Sequence, residues 1–539
     1  MEDAVQNNAD SICPDKSTTS SRRAGSADLV SAGDRSGPTG RGAAREATGK
    51  TMMVVTSRLL AMGVSLVGLY FYTRVLDKSD WAAGLVMALI GETAFAMLDM
   101  GLGLCLERRL PGILAREHRE GLILIGVFVV VVIASAAVVA FGLYGWCDAL
   151  AVALMKDPLK SGVILWGIPF AMAVMWRSAL FCVMRGTNCF GRLSILSLSS
   201  QIFFVAGTVG GYLLMGLKGF LIGAAIAYAL PCAYESWKLR RYFNVVPAFR
   251  DIWRYLKYSR SMLGERVVNA GYSFADQWVI GLVLPAASLA TYNVPRSFFD
   301  RFQTLLDGMW MVPTTLLSRE SARGPDAVRA AMRRLRRVFT YLFVPIGVGL
   351  LASSYFLVDI LGGSKYHDAV EPFAILALHY LVLGLAAANA IIGISTIAPP
   401  GDRLRSILSK NVAYLICLPL LAKWFELNGV VGAKLMATVV EAIVAAMLMR
   451  RVLQVNWEWD SLRAVALPAA LLFVVVAGGQ YYFYSRLVAP LFMAAGTAIY
   501  LYLFFRRVAE EDLLFLEHIL PDRARPLVKL GRWCRPGAK

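Results

Sequence analysis

Histidine is nearly absent, with four in 539 residues, and the eight cysteines never fall at the spacings of a metal site or a redox motif. Cys105, Cys182, Cys232 and Cys417 stand in or at the ends of apolar runs, where small fillers belong. No P-loop, dinucleotide fingerprint or nucleophile elbow occurs. The usual equipment of metal, nucleotide and acyl-transfer enzymes is therefore missing, and no metal site is expected. Charge is also thin. Asp, Glu, Lys and Arg together make up 17% of the chain, against about 25% in a typical soluble domain. Acids are the rarer sign, 37 against 55 bases. Two acids seven residues apart, Glu92 and Asp99 in GETAFAMLD, thus stand out inside the apolar run 81–105.

What the chain has in excess is long apolar runs. It is 57% hydrophobic, with a mean hydropathy of +0.57. The runs recur at about twenty residues, the length that crosses a bilayer core at about 1.5 Å per residue. Fourteen spans are expected. Four of them form two tight pairs, 193–215 with 217–237 and 406–424 with 427–449. The expected fold is an all-α polytopic membrane protein.

The net charge of +18 is distributed unevenly. If the N-terminus is cytoplasmic, the inner loops carry 26 Lys and Arg and the outer loops 9. This follows the positive-inside rule, so the basicity reports topology and not nucleic-acid binding. Both termini are expected in the cytoplasm. Residues 1–50 are polar, rich in Ser, Gly, Ala and Arg, and read as a disordered tail. Within the tail 507–539, Leu513, Leu516, Ile519 and Leu520 have the spacing of a short interfacial helix.

The sequence echoes itself. Laid over its own second half, it sets Arg58 on Arg266, Glu92 on Asp300, Asp99 on Asp307, Gly63 on Gly271 and Ser65 on Ser273, all at one constant offset. At an offset only slightly larger, Gly219 and Arg240-Arg241 fall on Gly429 and Arg450-Arg451. Spans 1–6 and 7–12 therefore read as two copies of one unit. Six spans per copy is an even number, so the copies run parallel about an axis along the membrane normal. The expected domains are an N-terminal lobe 51–240, a basic linker 241–260, a C-terminal lobe 261–455 and two extra helices in 456–506.

Helical rise puts Arg58 and Asp99 at similar depth on neighbouring helices, and Arg266 and Asp307 repeat that arrangement. An Arg58–Asp99 pair and an Arg266–Asp307 pair are expected. Arg266, Asn269, Ser273 and Asp276 form one stripe on span 7, and Asp300, Gln303 and Asp307 form another on span 8. Such stripes face a helix or a water-filled cavity, because a charge facing lipid costs about 2.5–3.5 kcal/mol or more. The charges act either as structural ties or as the lining of a cavity between the lobes, and the cavity is favoured. Arg177 is a contact for an anion or for Glu92, Glu441 a candidate proton site, and His379 a packing residue. Glu235, close to a span end, is expected to snorkel. Pro169, Pro231 and Pro345 are expected to kink their helices.

The stretches SRLLAMGVSLVGLYFYTRVLDKSDWAAG, LDMGLGLCLERRLPGILARE, DQWVIGLVLPAASLATYNVPRSFFDRF, WMVPTTLLSRE and ILGGSKYHDAVEPFAILAL resemble the polysaccharide flippase branch of the multidrug/oligosaccharidyl-lipid/polysaccharide exporter superfamily. The resemblance spans about residues 52–455; the family's usual Tyr/Phe-Gly after the first helix is Trp81-Ala82 here. It implies a two-lobed bundle working by alternating access in a bacterial inner membrane. The cargo it implies is a polyprenyl-diphosphate-linked oligosaccharide. Fourteen spans favour such a cargo over the multidrug exporters, which usually have twelve. Arg58, Arg266 and Arg177 are then the candidate substrate-binding residues, since guanidinium makes fixed, bidentate contacts to phosphate. Glu92, Asp99, Asp276, Asp300 and Asp307 are the candidate ion-coupling or charge-pairing acids. Asp99 and Asp307 hold the arginines when cargo is absent, and Glu92, Asp276 or Asp300 takes a coupling H⁺ or Na⁺. No other cofactor is expected. The expected partners are the lipid-linked glycan and membrane lipids, with a polysaccharide polymerase and glycosyltransferases as candidates. Two other readings compete: a cation-coupled multidrug antiporter of the same superfamily, and a non-transport component of a polysaccharide synthesis complex. The longest interhelical loop, about residues 238–260, is basic and lacks the paired carboxylates or His–Asp set of a glycan-processing enzyme, so a transporter is expected.

Overall fold

The computed structural model describes residues 59–321, 323–454, 459–482, 486 and 488–507. The expected N-terminal tail, Arg58 and the expected interfacial helix after residue 507 lie outside the described residues. Every regular element within them is helical. The first repeat unit holds α1 (Leu59–Val75), α2 (Lys78–Leu98), α3 (Leu102–Arg116), α4 (His118–Gly145), α5 (Ser161–Gly186) and α6 (Phe190–Lys238). The second holds α7 (Phe249–Val283), α8 (Ala286–Ser321), α9 (Pro325–Ala352), α10 (Ser354–Gly362), α11 (Val370–Ala387) and α12 (Pro400–Leu453). Then come α13 (Trp459–Tyr482) and α14 (Ala489–Arg507), which lie against each other, with α13 packed on α9.

Fourteen spans emerge among the described residues because two long helices each contain two. Helix α6 reverses at Gly216 (φ 62°, ψ −143°) and α12 at Glu426 (φ 48°, ψ −126°). These hinges sit at the junctions of the two tight pairs read from hydropathy. Gly216 and Glu426 stand in the same register as Gly219 and Gly429, and so do the first residues of the two helices, Phe190 and Pro400. The arms of α6 lie backbone to backbone because they meet at glycines: a Cβ on Gly219 would run into the Gly211 carbonyl. The register that sets Arg58 on Arg266 holds elsewhere. It carries Lys78, the start of α2, onto Ala286, the start of α8, and Val75, the end of α1, onto Val283, the end of α7. The chain is thus an all-α membrane protein of two pseudo-symmetric lobes with two added helices. Helices α5, α6 and α9 continue through Pro169, Pro231 and Pro345 with helical φ/ψ at each proline.

Three of the fourteen fall outside the set of long apolar helices: α1, which is apolar but shorter among the described residues, and α7 and α8. Helices α7 and α8 carry the polar stripes, and their apolar fraction is diluted accordingly. They flank the seam between the lobes, where α2 packs against both. Several sequence boundaries move: α7 begins at Phe249, inside the expected linker 241–260, and α9 at Pro325, ahead of the expected span start at 338. Span 8 is expected from 296, but α8 begins at Ala286 and runs through Pro295. Arg296, counted with an outer loop on sequence, therefore lies well inside the helix.

Candidate functional site

A cavity of about 260 Å³ lies in the seam, walled by α2, α3, α5 and α7. The stripe on α7 faces it, through Arg266, Asn269 and Ser273, as its spacing requires. Glu92 comes from α2 on the other side, and Glu107 and Arg185 also belong to the wall. Arg185 Nη1 and Glu107 Oε1 pair at 2.9 Å. The polar cavity expected between the two halves is therefore present.

Asp99 is buried at the end of α2 and accepts a hydrogen bond from the Gly101 amide at 2.9 Å. Gly101 takes the left-handed conformation (φ 75°), and its backbone lies tight against that of Leu263 and Met262 on α7. That close approach brings Arg266 Nε to 3.6 Å from Asp99 Oδ2. The contact is an ion pair without a hydrogen bond, since both atoms are otherwise unsatisfied. Arg266 thus meets Asp99 across the seam, a contact that sequence depth alone did not single out. The side chain of Asp307, its expected partner, lies outside the described residues, as does Arg58. The Arg266 guanidinium also lies 5.5 Å from the Phe95 ring centroid.

Arg177 stands on α5 behind the cavity wall. Its guanidinium covers the rings of Phe181 and Tyr228 at 4.8 and 4.7 Å, and its buried Nε has no hydrogen-bond partner among the described residues. Arg301, from α8, reaches across the seam to α1 and donates to Ser65 Oγ from Nε at 2.9 Å and from Nη2 at 2.6 Å. Gln201 donates to the same oxygen at 3.2 Å. Among the described residues, neither Arg177 nor Arg301 has a carboxylate within salt-bridge distance. Glu92 lines the cavity from α2. It makes no hydrogen bond among the described residues.

Asp276 is fully buried in a second charged cluster, inside the C-terminal lobe. It accepts from Arg296 Nη1 at 3.1 Å, Lys434 Nζ at 3.1 Å and the Tyr292 hydroxyl at 2.5 Å. Arg296 Nε continues to Asp300, half-exposed, at 3.3 Å. Beside this cluster Lys410 Nζ pairs with Glu441 Oε2 at 3.0 Å, and His379 Nδ1 meets the Thr438 hydroxyl at 3.0 Å. Glu441 is thus a charge partner and His379 a hydrogen-bonded core residue. Glu235, expected to snorkel, is instead buried, and its Oε2 has no hydrogen-bond partner among the described residues.

Sequence reading misses Arg296, Arg301 and Lys434. Arg301 and Lys434 are visible as bases inside spans, a signal as strong as that of Arg177. Arg296 is hidden by a helix start placed too late along the chain; the repeat register, which carries the start of α2 onto Ala286, is the signal that finds it.

The fold is similar to that of the lipid II flippase MurJ in an inward closed conformation. The TM-score is 0.68 at 12% identity, over 87% of this chain and all of that one. It is also similar to an inward-facing multidrug resistance MATE family transporter of the MOP superfamily. There the TM-score is 0.56 at 13% identity, over 74% of this chain and 94% of that one. At such identities the likeness concerns the fold alone. No curated protein matches the chain in sequence. The model of one family, described as "Polysaccharide biosynthesis protein", matches residues 73–371. That match takes in the cavity and both charged clusters except Lys434, Lys410, His379, Thr438 and Glu441, and the chain belongs to this family of polysaccharide biosynthesis proteins.

Proposed function

We propose that the chain is a flippase that moves a polyprenyl-diphosphate-linked oligosaccharide from the cytoplasmic to the outer leaflet of a bacterial inner membrane. One observation carries this reading: the Arg185–Glu107 pair aside, five cationic side chains (Arg177, Arg266, Arg296, Arg301 and Lys434) stand with four carboxylates (Glu92, Asp99, Asp276 and Asp300) among the described residues of the seam and the adjoining cluster. Asp99 answers Arg266, while Asp276 and Asp300 answer Arg296 and Lys434. Arg177 and Arg301 have no carboxylate within salt-bridge distance among the described residues. A surplus of fixed positive charge in a low-dielectric seam suits a diphosphate, which crosses with its charge and accepts bidentate guanidinium contacts. The membership in a polysaccharide biosynthesis family supports the glycan part of the cargo.

The two lobes then alternate access. Arg266, with Arg58 as its repeat counterpart, meets cargo near the inner mouth. Arg177 and Arg301 take the phosphates deeper in. Asp99 and Asp307 hold the arginines between cycles. Glu92 takes the coupling H⁺ or Na⁺, because Asp276 is already saturated by donors and Asp300 is tied to Arg296. A glycan polymerase and glycosyltransferases are the candidate protein partners.

The test is flipping of a polyprenyl-diphosphate oligosaccharide in proteoliposomes. Arg177→Ala and Arg301→Ala each lower the rate about tenfold or more, and the Lys variants recover only part of it, because a point charge replaces a planar fork. Unchanged flipping in both Ala variants refutes the reading. Loss of drug efflux in those variants, with glycan flipping intact, points instead to the multidrug antiporter.

A further inference from the structure

At the end of the bundle that charge asymmetry assigns to the outside, the lobes meet through a repeated device. Lys156 Nζ donates to the Leu282 carbonyl at 2.7 Å, in the last turn of α7. Lys365 Nζ donates to the Leu76 carbonyl at 2.9 Å, just past the end of α1. The two lysines match in the register of the repeat, give or take a single residue, and α1 and α7 are repeat counterparts. Each lobe therefore sends a lysine to the C-terminal end of the other lobe's first helix. Two further donors act in the same manner. Thr73 Oγ1 donates to the Leu361 carbonyl at 2.7 Å and Arg74 Nη2 to the Ile360 carbonyl at 3.2 Å, both in the last turn of α10. Lys78 pairs with Asp368 at 3.4 Å and Lys365 with Asp77 at 3.3 Å. At the centre Trp81 and Tyr366, both buried, meet edge to face at 5.9 Å.

We infer that this ring is the outer gate, with Lys156 and Lys365 as a pseudo-symmetric pair of latches and Trp81–Tyr366 as the seal; the inference rests on the alternating-access reading. The chemistry suits a gate. The last carbonyls of a helix have no intrahelical partner, and a cation at a helix C-terminus is favoured by the dipole. The acceptors therefore stand ready without disturbing either helix. When the lobes part, water satisfies the same carbonyls and ammoniums, so each bond carries only a modest net free energy. Such contacts hold a seam shut and still let it open. The inner end is tied differently, by carboxylate–guanidinium pairs: Arg108 with Glu265, bidentate at 2.6 and 2.9 Å, and Arg254 with Glu120 at 2.8 Å. Opening outward and opening inward thus break different chemistry.

The test places a single reporter, Ser178→Cys in the cavity wall, on a cysteine-free background in intact cells. An impermeant maleimide then reads access from outside. Combining Lys156→Met with Lys365→Met keeps side-chain length and removes both donors. The labelling rate then rises about tenfold, as loss of two modest bonds requires, and each single change gives a smaller rise. An unchanged rate in a double variant made at normal level overturns the gate. A second measurement stands if that variant is poorly made. Lys78→Cys with Asp368→Cys, joined by a short bifunctional thiosulfonate, arrests glycan export, and reductant restores it; export that continues in the fully joined protein overturns the gate as well. Labelling needs no cargo, so an error in the cargo assignment leaves the labelling result intact and shows only in the flipping assay.

Discussion

The pair Arg266–Asp99 separates a structural tie from a cargo contact. Asp99 has no accessible side-chain surface, and Arg266 keeps 25% of its own. Removing Arg266 leaves a buried carboxylate with one backbone donor, Gly101. Stranding one member of a fully buried pair costs about 3–5 kcal/mol. Here the ion contact is 3.6 Å without a hydrogen bond and one partner is partly hydrated, so the loss falls to about 1–3 kcal/mol. Arg266→Ala therefore lowers resistance to unfolding in detergent by that amount. Asp99→Asn in the same protein removes the stranded charge and still accepts from Gly101, and it restores most of the loss. A double-mutant cycle on the two positions yields a coupling of about 1–2 kcal/mol. Export behaves differently. The double variant reaches normal membrane levels and still fails to flip glycan, because the guanidinium that meets the diphosphate is gone. Full export in the double variant refutes this reasoning and leaves Arg266 as a tie between helices. A coupling near zero refutes the pairing itself.

Lys434→Met leaves Asp276 with Arg296 as its remaining cation; it destabilises by about 1–3 kcal/mol, and Asp276→Asn on top recovers part of that, as read by unfolding in detergent. Topology is checked by single-cysteine labelling: positions 156 and 365 react with an impermeant reagent from outside intact cells, and position 333 reacts only after the inner face is opened. Labelling of position 333 from outside overturns the orientation.

Span lengths, the tight pairs around Gly216 and Glu426, the two-lobed repeat and the polar stripe on α7 are all legible in the sequence. Each depends on quantities local along the chain: hydropathy over about twenty residues, the helical rise and the 3.6-residue period. The starts of α7 and α8 are exceptions: the basic stretch after Phe249 and the stretch before Pro295 read as connections, yet α7 runs from Phe249 and α8 from Ala286.

Which charges meet is decided by tertiary structure. A repeat offers every arginine two acids at equal depth, one in its own lobe and one across the seam, and depth along a helix does not choose between them. The close approach of Gly101 to the α7 backbone makes that choice for Arg266, drawing it to Asp99. In the same way Arg301 lands on Ser65, Lys434 closes on Asp276 and each outer lysine finds a carbonyl of the opposite lobe. These partners lie far apart in the chain, Lys365 and Leu76 farthest of all, and their distances are set by how two rigid lobes pack, a property that no local periodicity encodes.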